Sequence, residues 1–145
     1  MSGYDLLARQ MFCQMSSTMV KHEIPPDLRR FILTSIPSVP HIEALMLARA
    51  SAPERWTVES AARRLYVQPA TVRAVMADLC RSGMLLRDEA QDAWFYQPDA
   101  TELCDLVERL ASLYASHLVE VTGLIHSKLD RKAQQFANAF NLRKD

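Results

Sequence analysis

The spacing of apolar residues changes abruptly at Gly83. Before it, residues 58–65 and 70–81 place apolar side chains three or four positions apart, which is the spacing of one helix face. After it, residues 84–87 and 93–97 are short, apolar and aromatic, and are separated by a polar stretch, as in a hairpin. Glycine commonly follows the last residue of a helix. The sequence therefore predicts two helices followed by a two-stranded hairpin.

Prolines mark the limits of two earlier helices. Residues 27–36 form a predicted helix that begins at Asp27 and ends before the prolines at positions 37 and 40, because proline disfavours helix in the residue before it. Residues 41–52 repeat apolar side chains at helical spacing, and Pro53 ends them. Thr57 is then predicted to cap the helix at 58–65.

Three stretches carry a resemblance to a known family. Residues 57–65 (TVESAARRL) contain small residues that permit close crossing by the next helix, residues 69–73 (PATVR) open that helix, and residues 79–85 (LCRSGML) lead into the hairpin. Residues 56–97 as a whole resemble the winged helix-turn-helix DNA-binding family, of the bacterial transcriptional regulator type. The resemblance implies a mainly helical α+β fold with a two-stranded wing. Tyr66 stands where such families often place glycine, which implies a larger or differently angled turn.

The resemblance also implies a DNA interface, with the start of the third helix in the major groove. Five residues would face the bases: Gln68, Ala70, Thr71, Arg73 and Ala74. Four would contact phosphates: Arg63, Arg64, Arg81 and Arg87. The expected function is sequence-specific DNA binding by a dimeric transcriptional regulator.

The polar loop of the hairpin opposes this interpretation. Residues 88–92 are DEAQD, and Asp78 adds a carboxylate on the recognition helix, so phosphate would be repelled. Residues 54–97 carry six basic and six acidic side chains and have no net charge. Fold does not determine function, and winged helices also bind proteins. A protein–protein interaction adaptor that does not bind DNA is therefore the alternative.

A long apolar stripe follows the hairpin. It predicts one helix from residue 101 to about 130, about 45 Å long, which is more than a domain of this size needs. A homodimer would bury the stripe, with seven interface residues: Leu103, Leu106, Leu110, Leu113, Tyr114, Val121 and Ile125. The alternative is that residues 28–50, and the N-terminal segment, cover it. Gly123 is expected to kink or interrupt the helix.

The chain thus divides into three predicted parts. Residues 1–26 form a loosely packed N-terminal arm, residues 27–98 form the winged helix-turn-helix domain with its preceding helix, and residues 99–145 form the long helix and a basic tail. Residues 98–127 carry five acidic and one basic side chain, whereas residues 128–145 carry five basic and two acidic ones. The last part is therefore the expected dimerisation element.

Other function classes have little support. The three cysteines have no C-x-x-C spacing, and the four histidines have no ligand spacing, so we expect no metal, no cofactor and no enzymatic activity. Charged residues or histidine interrupt every apolar stretch before the ~20 residues of a membrane span, and no signal-peptide pattern is present. A cytoplasmic protein is expected. Its expected partners are double-stranded DNA, a second copy of the chain and, in the alternative, another protein, but not a membrane.

Overall fold

The computed structural model describes residues 24–142. The predicted N-terminal arm lies outside the described residues, apart from residues 24–26. The elements in chain order are α1 Pro26–Ser35, α2 Val39–Ala50, β1 Trp56–Thr57, α3 Val58–Leu65, α4 Pro69–Arg81, β2 Leu85–Asp88, β3 Ala93–Tyr96, α5 Thr101–Ser116 and α6 Leu118–Leu142.

A small antiparallel sheet packs beside the helices. β3 is its central strand, with β1 on one side and β2 on the other. Trp56 is opposite Trp94 across the first pair, and Leu86 is opposite Phe95 across the second. The order helix, strand, helix, helix, strand, strand is that of a winged helix, so the predicted fold class is confirmed. β1 adds a third strand to the predicted two-stranded wing.

Local hydrogen bonds define α3 and the turn that follows it. The Thr57 side chain accepts from the Ser60 backbone N–H at 3.1 Å, and the Ser60 hydroxyl accepts from the Thr57 N–H at 3.0 Å, which is a capping box. Tyr66 then adopts left-handed angles, φ 57° and ψ 43°. Tyr66 thus takes the left-handed conformation that glycine adopts most readily, and the turn between α3 and α4 spans residues 66–68.

Gly83 ends α4 as predicted. The N–H of Met84 donates to the Leu79 carbonyl and that of Gly83 donates to the Cys80 carbonyl, both at 3.0 Å, which is the Schellman arrangement. Gly83 has φ +80°, a conformation that favours glycine. Its carbonyl accepts from the Asp99 N–H at 2.9 Å, which ties the two ends of the wing together.

One hydrophobic core joins the winged unit to the C-terminal helices. Leu28 and Ile32 of α1 belong to the same buried cluster as Leu110 of α5 and Ile125 of α6. α1 contacts both of these helices. The predicted boundary at residues 98–99 therefore falls between β3 and α5, and the core crosses it.

The prediction of a single helix from residue 101 to about 130 is wrong. α5 ends at Ser116 and α6 begins at Leu118, with His117 between them at φ −133° and ψ 50°. α1 has only ten residues, so it is about 15 Å long. A straight helix of about 45 Å could not place both of its halves against α1, whereas two helices joined at His117 do. Gly123, the predicted kink, lies inside α6 without a break.

This packing revises the predicted dimer interface. Four of its seven residues are buried inside the protomer: Leu110, Tyr114, Val121 and Ile125. The other three are partly buried against the same core: Leu103, Leu106 and Leu113. Most of the stripe is therefore internal core, because α1 and α2 contribute side chains to the cluster that contains it.

Within the described range, none of the helices alone has the length and apolar composition of a membrane span; α1 and α2 together, bent by 107°, meet that test by length and composition only.

Candidate nucleic-acid interface

The first half of α4 is accessible on one side. Four apolar side chains of the helix are buried in the core: Val72, Val75, Met76 and Leu79. The five residues predicted to face bases are all exposed: Gln68, Ala70, Thr71, Arg73 and Ala74. Pro69 lies in the first turn, where its missing N–H leaves no hydrogen bond unmade. The fold thus brings the five residues together at the exposed start of one helix.

A buried histidine connects α4 to α2. His41 is 7% exposed, and its Nε2 lies 2.8 Å from Oδ2 of Asp78 on α4. Its Nδ1 lies 2.6 Å from the hydroxyl of Ser38, which precedes α2. Asp78 also pairs with Arg81. The Asp78 carboxylate, which was expected to repel phosphate, therefore has two partners within the protein. Arg81 is three residues further along the same helix, whereas His41 is 37 residues away and was not predicted.

The predicted phosphate contacts fall into two groups. Arg63 and Arg64 lie exposed in the last turn of α3 and form no ion pair with any described residue. Arg81 and Arg87 are exposed but paired, with Asp78 and Asp92 respectively. The structure places all four near the ends of α3, α4 and β2, and their contact with DNA stays a prediction.

Arg73, Arg87, Asp92 and Trp94 form a group that we call the wing cluster. Arg87 donates to Oδ1 of Asp92 at 2.6 Å, and Arg73 donates to Oδ2 at 3.2 Å. The Arg87 and Arg73 guanidiniums lower the pKa of the Asp92 carboxyl below its ordinary value, because they stabilise its charged form. Asp92, at the end of an acidic loop, is therefore an ion-pair partner rather than a free charge.

A second ion pair lies at the other end of the loop. Arg55 donates to Oδ2 of Asp88 at 2.7 Å and lowers the pKa of that carboxyl. The Arg55 guanidinium also lies 4.4 Å from the centre of the Phe95 ring, within cation–π distance. Sequence reasoning missed Arg55, because its partner is 33 residues away. The two come together because β1 and β2 both pair with β3, with Thr57 and Asp88 each opposite Ala93.

Tyr66 is a conspicuous exposed aromatic next to α4. Its side chain is 93% exposed, and its left-handed backbone is uncommon for a residue other than glycine. Strained residues of this kind concentrate at functional sites. A groove beside it is lined by residues of α2 and α3: Glu43, Met46, Leu47, Ala50, Arg64 and Leu65. The sequence marked Tyr66 only as a departure from the family pattern.

In the described part of the chain, no three His, Cys, Asp or Glu side chains come together in a way that could hold a metal ion. No protein-family model matches the chain, and no curated protein matches it. Among solved structures, the chain is similar to a cysteine-to-serine variant of ZitR from Lactococcus lactis. The identity is 17% and the TM-score is 0.41, over 96% of this chain and 98% of that one. The winged-helix assignment rests on the order and pairing of the elements described above.

Proposed function

We propose that the chain binds double-stranded DNA as a dimeric winged-helix transcriptional regulator. The observation that carries the proposal is the exposed start of α4. Gln68 and Arg73 offer hydrogen-bonding groups to purine edges in the major groove, and Thr71 offers a methyl group to thymine. Winged and other helix-turn-helix proteins use this part of the recognition helix to contact bases.

Arginines on neighbouring elements support the same assignment. Arg63 and Arg64 are exposed at the end of α3, and Arg87 is exposed on the wing. Phosphate contacts of this kind position a recognition helix without specifying sequence. Each phosphate neutralised adds about 0.9 to the slope of log affinity against log salt, so binding should weaken as salt rises.

The acidic loop opposes DNA binding less than its composition suggests. Asp88 contacts Arg55, and Asp92 contacts two arginines. Glu89 is the remaining acid of the loop, and it is exposed. Since two of the three carboxylates are compensated within the fold, the loop does not present three free negative charges to a phosphate.

For self-association, we propose the distal part of α6. Residues 129–140 are exposed along their whole length, about 18 Å of helix. Leu129 is 43% exposed, Phe136 75% and Phe140 57%. Large apolar side chains on an extended exposed helix are typical of an interaction surface. The basic residues of this segment, Arg131 and Lys132, suit a partner copy whose α5 is acidic.

Selection of duplexes from a random-sequence pool at low salt tests the proposal. Removing a base-contacting arginine costs about 1–3 kcal/mol, so Arg73→Ala should weaken binding about tenfold to a hundredfold. Arg30→Ala, which removes the same charge from the exposed side of α1, is the matched control and should change affinity less than about twofold. A dimer should protect two half-sites about 34 Å apart. Retention of no duplex at low salt would refute the proposal.

The adaptor alternative has one observation in its favour, the exposed Tyr66 beside the groove between α2 and α3. It predicts a protein partner that is lost when the charges at Asp88, Glu89 and Asp92 are reversed. It also predicts that Arg73→Ala leaves the partner bound. Pull-down with the wild-type protein, the charge-reversed variant and the Arg73→Ala variant distinguishes the adaptor function from DNA binding.

A further inference from the structure

One carboxylate of the wing cluster, that of Asp92, forms ion pairs with two arginines of the proposed DNA-binding face. Each of its oxygens contacts a different guanidinium, Arg87 at 2.6 Å and Arg73 at 3.2 Å. The side chains of Arg73, Asp92 and Arg87 are between 45% and 53% exposed. All three can therefore be reached by a molecule from solvent.

Trp94 supports both arginines from beneath. The guanidinium carbons of Arg73 and Arg87 lie 5.9 Å and 5.6 Å from the centre of its ring, which is within cation–π distance. Trp94 is only 3% exposed and lies on the central strand β3. Its position is fixed by the core, so the two guanidiniums share a rigid support. Together they form an anion site, and the anion present is Asp92.

The backbone at Asp92 does not require a carboxylate. Asp92 has φ +49°, a conformation that glycine adopts most readily and that asparagine and aspartate also tolerate. Glycine or asparagine at this position would remove the carboxylate that pairs with both arginines. The ion pairs with Arg73 and Arg87, rather than the backbone conformation of the turn, therefore account for a carboxylate at position 92.

We propose that Asp92 competes with DNA for the anion site formed by Arg73, Arg87 and Trp94, with phosphate for Arg87 and with a purine edge for Arg73. The inference rests on the proposed DNA binding and names the residue that lowers its affinity. A phosphodiester carries the same kind of charge as a carboxylate and accepts the same paired hydrogen bonds from guanidinium. DNA reaches the two arginines by replacing Asp92. The affinity of every duplex is thus reduced by the free energy of the carboxylate contacts.

Asp92→Asn is the direct test, because asparagine preserves the shape and the left-handed backbone but removes the charge. Glu89→Gln is the matched control. It removes the same charge from the same loop, and no hydrogen bond joins Glu89 to a described arginine. Two exposed ion pairs contribute a few-fold each, so Asp92→Asn should tighten duplex binding about tenfold per protomer, measured by fluorescence anisotropy at low salt. Glu89→Gln removes only a charge that salt screens, so it should tighten duplex binding by less than about threefold.

The same substitutions in an Arg73→Ala/Arg87→Ala protein show whether the arginines transmit the effect. We expect the gain from Asp92→Asn to fall there to that of Glu89→Gln. Equal gains from the two substitutions in the otherwise unchanged protein would overturn the proposal. So would a gain from Asp92→Asn that persists without the two arginines.

Inorganic pyrophosphate tests the anion site without DNA. Its binding is followed by the NMR signal of the Trp94 indole N–H. The Asp92→Asn protein should show a saturable shift, whereas the wild-type protein and the variant lacking both arginines should show little. If pyrophosphate shifts the Trp94 signal of the Asp92→Asn protein but no variant binds duplex DNA, the proposed function is refuted and the anion site is still supported. Absence of a shift in Asp92→Asn, or equal affinity in the wild-type protein, would overturn the inference itself.

Discussion

Replacing Gly83 by alanine should destabilise the protein, whereas the same replacement at Gly123 should stabilise it. Gly83 follows α4 with φ +80°, where an L side chain is strained. A Cβ at this position would overlap the side-chain carboxylate of Asp99. Gly123 lies exposed within α6, and a Cβ there would meet none of the described atoms within 4 Å. The two glycines therefore differ in both backbone conformation and surroundings.

The structure gives the size of each effect. Left-handed backbone costs alanine about 1–2 kcal/mol, and the lower entropy of the unfolded chain offsets about 0.5 kcal/mol. The overlap with Asp99 adds little, because that side chain is exposed and can rotate away. We expect Gly83→Ala to lower the free energy of unfolding by about 1 kcal/mol and Tm by about 3 °C. Gly123→Ala should raise the free energy of unfolding by about 1 kcal/mol, because glycine is a poor helix former.

Thermal unfolding followed by circular dichroism measures both changes. A double variant, Gly83→Ala with Asp99→Ala, separates backbone strain from overlap, and it should recover only a small part of the loss. A Tm of Gly83→Ala equal to that of the wild-type protein would refute the assignment of strain. Full recovery in the double variant would show that contact with Asp99 sets the cost.

Two further predictions concern single side chains of the winged unit. His41→Ala removes two hydrogen bonds and leaves Asp78 without its buried partner, so the free energy of unfolding should fall by about 2 kcal/mol in urea titration. His126→Ala, at an exposed position on α6, should change it by less than about 0.5 kcal/mol, and a similar loss in both would contradict this account. Tyr66→Gly should raise the free energy of unfolding by about 0.5–1 kcal/mol, because glycine relieves the left-handed strain and the ring is almost fully exposed. A lower Tm for Tyr66→Gly would mean that the ring makes stabilising contacts.

Local signals predicted the winged unit to within about a residue at several helix ends. Thr57 caps α3, Pro69 lies in the first turn of α4, and Gly83 ends that helix. Each of these features acts over four or five residues, through backbone hydrogen bonds and preferred φ angles. The information is therefore present in any short stretch of the chain. The exposed face of α4 follows from the same helical spacing.

Contacts between distant residues could not be predicted in this way. Arg49 donates to Glu108 at 2.9 Å across 59 residues of sequence, and Arg109 donates to Asp27 across 82. Every arginine has several acidic residues at comparable distances along the chain, and charge alone does not select among them. The candidate site was the least predictable part of the protein. Asp78, Asp88 and Asp92 each pair with a residue that only the packing of helices and strands brings near, namely His41, Arg55 and Arg73.

The acidic loop and the apolar stripe separate the two kinds of information. The sequence established that three carboxylates lie between two short strands and that apolar residues recur at helical spacing after residue 101. The tertiary structure decided that Asp92 contacts two arginines, and that a break at His117 turns most of the stripe onto α1. The physical reason is range. Charge, hydropathy and helix capping belong to residues and their near neighbours, whereas the energy of an ion pair or of a buried side chain depends on what the fold places within a few ångströms of it.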